Sequence, residues 1–121
     1  MINGLVGVIL WTNDAGKLAH FYKEILGLKV HSDHGNFVSF KWGGIRLGIG
    51  THSEVIGNNK QPKRIMVNFG VSDIHSESKR LQSQGVKFIR QPEKETWGGW
   101  ICTFSDPEGN ILQLLQMPDQ D

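Results

Sequence analysis

Apolar residues run along this chain in two rhythms. Residues 5–12, LVGVILWT, form an almost unbroken β-branched and apolar run, the pattern of a strand buried on both faces. The rhythm then turns helical. In NDAGKLAHFYKEILG, Leu18, Phe21, Tyr22, Ile25 and Leu26 recur at three- and four-residue spacing. Asn13 or Asp14 can cap the start, and Gly27 stands where a left-handed residue ends a helix. Three short strands are predicted next: KVHSDH (29–34), NFVSFKW (36–42) and IRLGIGTH (45–52). Gly35-Asn36 and Gly43-Gly44 separate them as tight turns. The stretch 53–63, SEVIGNNKQPK, lacks periodicity and reads as a loop.

After this loop the order repeats. RIMVNFGV (64–71) reads as a strand, with Arg64 and Met66 on it, and SDIHSESKRLQSQG (72–85) as a helix capped by Ser72 or Asp73. VKFIRQ (86–91) is a strand followed by a Pro-containing loop. GGWICTF (98–104) leads through the turn Ser105–Asn110 into the closing strand ILQLLQ (111–116). The two helix exits also match, Gly27-Leu28-Lys29-Val30 and Gly85-Val86-Lys87-Phe88. A strand-helix-strand-strand-strand unit therefore occurs twice, with a period of about 59 residues. Each unit is too small to bury its own sheet face, which predicts one α+β domain over residues 1–121. Its two βαβββ repeats cover about 1–60 and 61–121 and share a core.

Composition narrows the field. The formal net charge of +1 gives no footprint for nucleic acid or an anionic membrane. The longest apolar run is far shorter than a membrane span, and the N-terminus opens on strand-like residues, so no signal peptide is expected. Cys102 is the single cysteine. No intrachain disulfide can form, a reducing cytoplasm is the expected compartment, and the residue reads as a small apolar strand position.

The paired units, FYKEILGLKV closing the first helix and FSDPEGNILQL before the last strand resemble the vicinal oxygen chelate superfamily. That group includes glyoxalases, extradiol dioxygenases, fosfomycin-modifying enzymes and bleomycin-resistance proteins. The resemblance covers essentially the whole chain. It implies that the units curl into a cup with helices on the outer face, closing around a small-molecule site. It also implies a metal at the floor, with His ligands from the first strand of each unit and Glu ligands from the last. Carried onto this sequence, the His positions fall at Gly7 and Met66. One Glu position falls at Gln113 and the other at Gly48 or Ile49. Glycine, thioether and neutral amide are poor donors for hard or borderline divalent ions, so no metal ligand is assigned and no cofactor is expected.

Other candidates are weighed by strand parity. Trp11 shares parity with Gly7 and Ile9 and should line the cup. Trp42 and Trp100 also fall on strands, and tryptophan there can either fill the site or offer an aromatic surface to a ligand. His52 ends the fourth strand beside the loop. Arg64 should share an inward face with Met66 and Asn68. His31 and His34 read as exposed strand-end histidines, and no catalytic acid, base or nucleophile stands out. The predicted ligand set is thus Trp11, Trp42, His52, Arg64, Met66, Asn68, Trp100 and Gln113. The reading is a metal-free protein binding a small aromatic or apolar molecule. The alternative is a metal-dependent lyase or dioxygenase of glyoxalase type with a displaced metal site. Unpaired sheet edges and the family's habit of edge pairing predict a homodimer.

Overall fold

A computed structural model describes residues 1–119. It divides into two compact units, residues 1–57 and 58–121, each of which is βαβββ. In the first unit, β1 (Gly7–Thr12) leads to α1 (Ala15–His20), then to β2 (Val30–Asp33), β3 (Phe37–Trp42) and β4 (Ile45–Thr51). In the second, β5 (Met66–Gly70) leads to α2 (Ile74–Ser83), β6 (Phe88–Lys94), β7 (Trp100–Ser105) and β8 (Ile111–Gln116). The sheets are four-stranded and mixed, with orders β1-β4-β3-β2 and β5-β8-β7-β6. The first and last strands of each unit pair in parallel and the others antiparallel.

Both helices start on an aspartate. The Asp14 side chain accepts from the Lys17 amide at 3.1 Å, and Asp73 accepts from the Ser76 amide at 3.2 Å. Each satisfies a donor that the first turn leaves orphaned. The hydrogen bond from Ser76 holds the Asp73 carboxyl below its ordinary value. Helix α1 does not stop at Gly27 directly. It widens into a π turn over Phe21–Ile25, closed by a bond of 3.0 Å from the Leu26 amide to the Phe21 carbonyl. That extra residue brings Phe21 and Tyr22 together onto the sheet, where both are buried.

Each sheet has a helix face and an open face, and strand register says which residue belongs to which. In the first unit Leu47, Ile49, Val38 and Phe40 point to α1 and are buried. In the second, Leu112, Leu114, Cys102 and Phe104 point to α2 and are buried. Three expectations change here. β1 is an edge strand and not buried on both sides: Ile9 and Trp11 are 46% and 43% exposed on the open face. β6 continues through Pro92, which a central strand would not allow. It does so because β6 is an edge strand with an irregular register between Arg90 and Glu93. Arg64 lies on a 3-10 turn, Pro62–Arg64, since Pro62 favours a turn and the strand starts only at Met66. No helix among the described residues is long and apolar enough to cross a membrane.

The core makes two measurable demands. Burial pushes the Cys102 thiol up to about 11 from an ordinary 9.0. A folded-state value above the unfolded one contributes stability that is complete below about 9 and lost as pH rises toward 11. Native protein should therefore resist iodoacetamide at neutral pH and be alkylated at Cys102 only when unfolded in urea. Rapid native alkylation would contradict the burial. Leu112→Ala should lower the unfolding free energy by about 2–5 kcal/mol, read from the urea midpoint.

Candidate functional site

The open face of the first sheet is built on glycine. Across the strands, Gly7 pairs with Arg46 and that with Lys41; Ile9 pairs with Gly48, Ser39 and Ser32 in turn; Trp11 pairs with Gly50 and Phe37. A Cβ on Gly48 would lie 2.6 Å from Phe37 Cζ, and one on Gly50 would lie 2.5 Å from Trp11 Cζ3. The two rings therefore rest directly on the β4 backbone, edge to face with centroids 6.2 Å apart. Beside them is a pocket of about 400 Å³, lined chiefly by Ile9, Phe37, Gly48, Ser39, Arg46 and His34. Ser32 and Ser39 share a hydrogen bond of 2.6 Å in its wall. His52 is placed by its amide, which donates to the Thr12 carbonyl at 2.8 Å, and its ring meets Trp11 at 5.5 Å. Its Nδ1 accepts from the Glu54 amide at 3.1 Å, so a neutral imidazole there carries its proton on Nε2.

The open face of the second sheet is polar where the first is glycine-rich. Asn68, Gln113 and Thr103 lie side by side, and the Gln113 amide donates to Thr103 Oγ1 at 3.0 Å. Met66 is the exposed diagonal neighbour of Gln113 on the same face. Next along from Thr103 comes Arg90, held by Glu93 at 3.3 Å and Glu95 at 2.8 Å. Those hydrogen bonds raise its already high pKa.

Of the eight residues expected at the site, the structure brings Trp11 and His52 together in the first unit. It places Met66, Asn68 and Gln113 on one open face in the second. The other three lie elsewhere. Trp42 has the parity of Val38 and Phe40 and sits half-exposed at the end of β3, on the helix side. Trp100 has the parity of Cys102 and Phe104, and its ring packs edge-on at 4.7 Å against His75 at the start of α2. Arg64 is exposed on its turn, reaching Gln61 Oε1 at 3.5 Å. Being aromatic and on a strand was not sufficient: a shift of one residue reverses the face. Phe37, Ser39, Arg46 and Thr103 were missed. For Phe37, Ser39 and Arg46 the Gly43-Gly44 turn carried the signal, because Trp42 and Ile45 flank it as a pair and fix the β3–β4 register.

A glyoxalase-like domain model matches residues 5–116, nearly the entire described chain. The chain belongs to the glyoxalase-like domain family. Among similar proteins is the uncharacterized protein YetH of Bacillus subtilis (strain 168). It is 22% identical over 121 residues, spanning 96% of this chain and 100% of that one. A glyoxalase/bleomycin resistance protein/dioxygenase family enzyme from Burkholderia phytofirmans PsJN superposes with a TM-score of 0.74 at 18% identity, over 94% of this chain and 98% of the other. Lactoylglutathione lyase from Agrobacterium tumefaciens does so with a TM-score of 0.72 at 16% identity, over 95% and 94%. At these identities the structural likeness establishes the glyoxalase-like fold alone.

Glyoxalase-type metal chemistry can now be tested against the side chains. Register settles the open alternative: Gly48 lies on the open face, whereas Ile49 is fully buried against α1. The four positions that the resemblance implies, taken on the open faces, are thus Gly7, Gly48, Met66 and Gln113. Gly7 cannot take a histidine in this backbone, since its Cβ would stand 2.5 Å from the Arg46 carbonyl oxygen. Gln113, whose amide nitrogen donates to Thr103 Oγ1, offers an ion only a neutral carbonyl oxygen. Among the described residues no three His, Cys, Asp or Glu side chains gather in a group that could hold an ion. These donors do not fit a divalent metal.

The glycine floor has a direct consequence. Gly50→Ala should displace the Trp11 and Phe37 rings, shifting the Trp11 emission and costing about 1–3 kcal/mol. An unchanged spectrum and urea midpoint would show that the rings do not rest on β4.

Proposed function

We propose that this glyoxalase-like protein has a degenerate metal site and binds a small aromatic or apolar molecule on the open face of its first sheet. The observation that carries the reading is the exchange at Gly7 and Gly48. Two positions that the family resemblance assigns to metal ligands have no side chain, and both line the wall of an apolar pocket. A volume of about 400 Å³ lies within the range of small-molecule sites. Ile9 and Phe37 supply apolar contact area, Trp11 and His52 continue the aromatic surface, and the Ser32–Ser39 pair offers hydroxyls to orient a polar substituent. In the second unit, Asn68 and Gln113 present amides that can hydrogen-bond a ligand or water but cannot anchor a divalent ion alone. The protein is expected to work as a cytoplasmic homodimer. Leu5, next to the edge strand β1, exposes apolar surface suited to a second copy.

Two measurements test this. Protein purified without chelators should contain less than about a tenth of an equivalent of Ni, Zn, Mn or Fe. Near-stoichiometric metal would instead favour a glyoxalase-type lyase or dioxygenase using a displaced site. Calorimetric titration with a panel of small aromatic compounds should yield at least one saturable binder. Gly48→Val, which fills the pocket floor, should abolish that binding. Binding that survives Gly48→Val would place the ligand elsewhere.

A further inference from the structure

We propose that the pocket on the first sheet is selective for organic anions: its ligand carries a carboxylate held by Arg46, with its apolar or aromatic body on Ile9 and Phe37. This rests on the binding reading above and adds the charge of the ligand to it.

Arg46 and Lys41 stand directly opposite each other in the antiparallel β3–β4 ladder, on the open face. Like charges at such a position repel and destabilise a sheet. Neither has an ion-pair partner among the described residues, where the salt bridges join Lys23 to Glu24, Arg80 to Glu77, and Arg90 to Glu93 and Glu95. Among the described residues, none of the four acids of the first unit neutralises them: Asp14 caps α1, Asp33 accepts from the Gly35 amide at 2.8 Å, Glu24 faces Lys23, and Glu54 makes no salt bridge. The second unit provides the contrast. There the arginine next to the corresponding open-face row, Arg90, is neutralised by two glutamates. The chain therefore supplies carboxylates to one open-face arginine and none to the other, and the unneutralised one lines the pocket.

Chemistry favours a carboxylate at this place. A guanidinium presents a planar fork of donors that matches a carboxylate in two parallel hydrogen bonds, and Lys41 next to it strengthens the local positive potential. The rest of the pocket wall is apolar or neutral. Ile9, Gly48 and Phe37 run away from Arg46 along the strands, and the Ser32–Ser39 pair lies midway. An anion with no apolar body would leave that wall wet, and an apolar body with no charge would leave the two cations facing each other.

The test compares 2-naphthoate, 2-naphthamide and inorganic phosphate by calorimetric titration into the purified full-length protein. 2-Naphthoate should bind about tenfold more tightly than the isosteric amide, and raised salt should narrow that gap. Arg46→Gln should remove the gap by weakening naphthoate, and, because it relieves the repulsion from Lys41, it should not lower the urea midpoint. Equal affinities for naphthoate and naphthamide in the wild type would overturn the anion selectivity while leaving the aromatic-binding reading standing. A gap that survives Arg46→Gln would overturn the assignment to Arg46. Phosphate binding as tightly as naphthoate would overturn the need for an apolar body. Failure of both naphthyl compounds, with another member of the aromatic panel bound, would overturn this inference alone; failure of every aromatic compound would overturn the reading it rests on as well.

Discussion

Alternation along β4 governs the first unit. The strand lies between a parallel neighbour, β1, and an antiparallel one, β3, so hydrogen bonding on both sides fixes its register. Once fixed, each residue has one face. Leu47 and Ile49 go to the helix and are buried, while Gly48 and Gly50 go to the open side. The glycines cost β4 some propensity, because they add backbone freedom to the unfolded chain and no packing to the strand. In return the Trp11 and Phe37 rings can lie on the backbone itself, and the pocket opens beside Phe37 over Gly48.

The second unit applies the same framework to a different end. Gln113 lies on the last strand as Gly48 does, opposite Asn68 as Gly48 is opposite Ile9. The middle row of one sheet therefore runs from Ile9 over bare Gly48 to a hydrogen-bonded serine pair, and that of the other carries two amides and a hydroxyl, with Gln113 bonded to Thr103. Neither row offers the imidazole and carboxylate donors that a divalent ion wants. The same strand framework presents bare glycine in one unit and a thioether and amides in the other.

Much of this was legible from residues alone. The helix caps at Asp14 and Asp73, the glycine exits and the repeated strand order follow from local rules of turn and cap chemistry. The opposite facing of Gln113 and its neighbours Leu112 and Leu114 also follows, because alternation within one strand is strict. What failed was parity carried across irregularities. Arg64 was counted in phase with Met66, but the 3-10 turn begun by Pro62 breaks the count. Trp42 and Trp100 were grouped with Trp11 by residue type, although register sends both to the helix side. The pocket was invisible for a further reason. Its walls come from β1, β3, β4 and the end of β2, and only strand pairing shows that Arg46, Ser39, Phe37 and Ile9 are neighbours.

The central claim is that Gly7 and Gly48, where the family resemblance implies metal ligands, line a ligand pocket instead. Amide-resolved NMR during titration with 2-naphthoate tests it most directly. The account predicts saturable shifts concentrated at Ile9, Phe37, Arg46 and Gly48, with the Trp11 indole moving alongside them. Shifts confined to β6 and β7, or to Trp42 and Trp100 on the helix sides of their sheets, would contradict it.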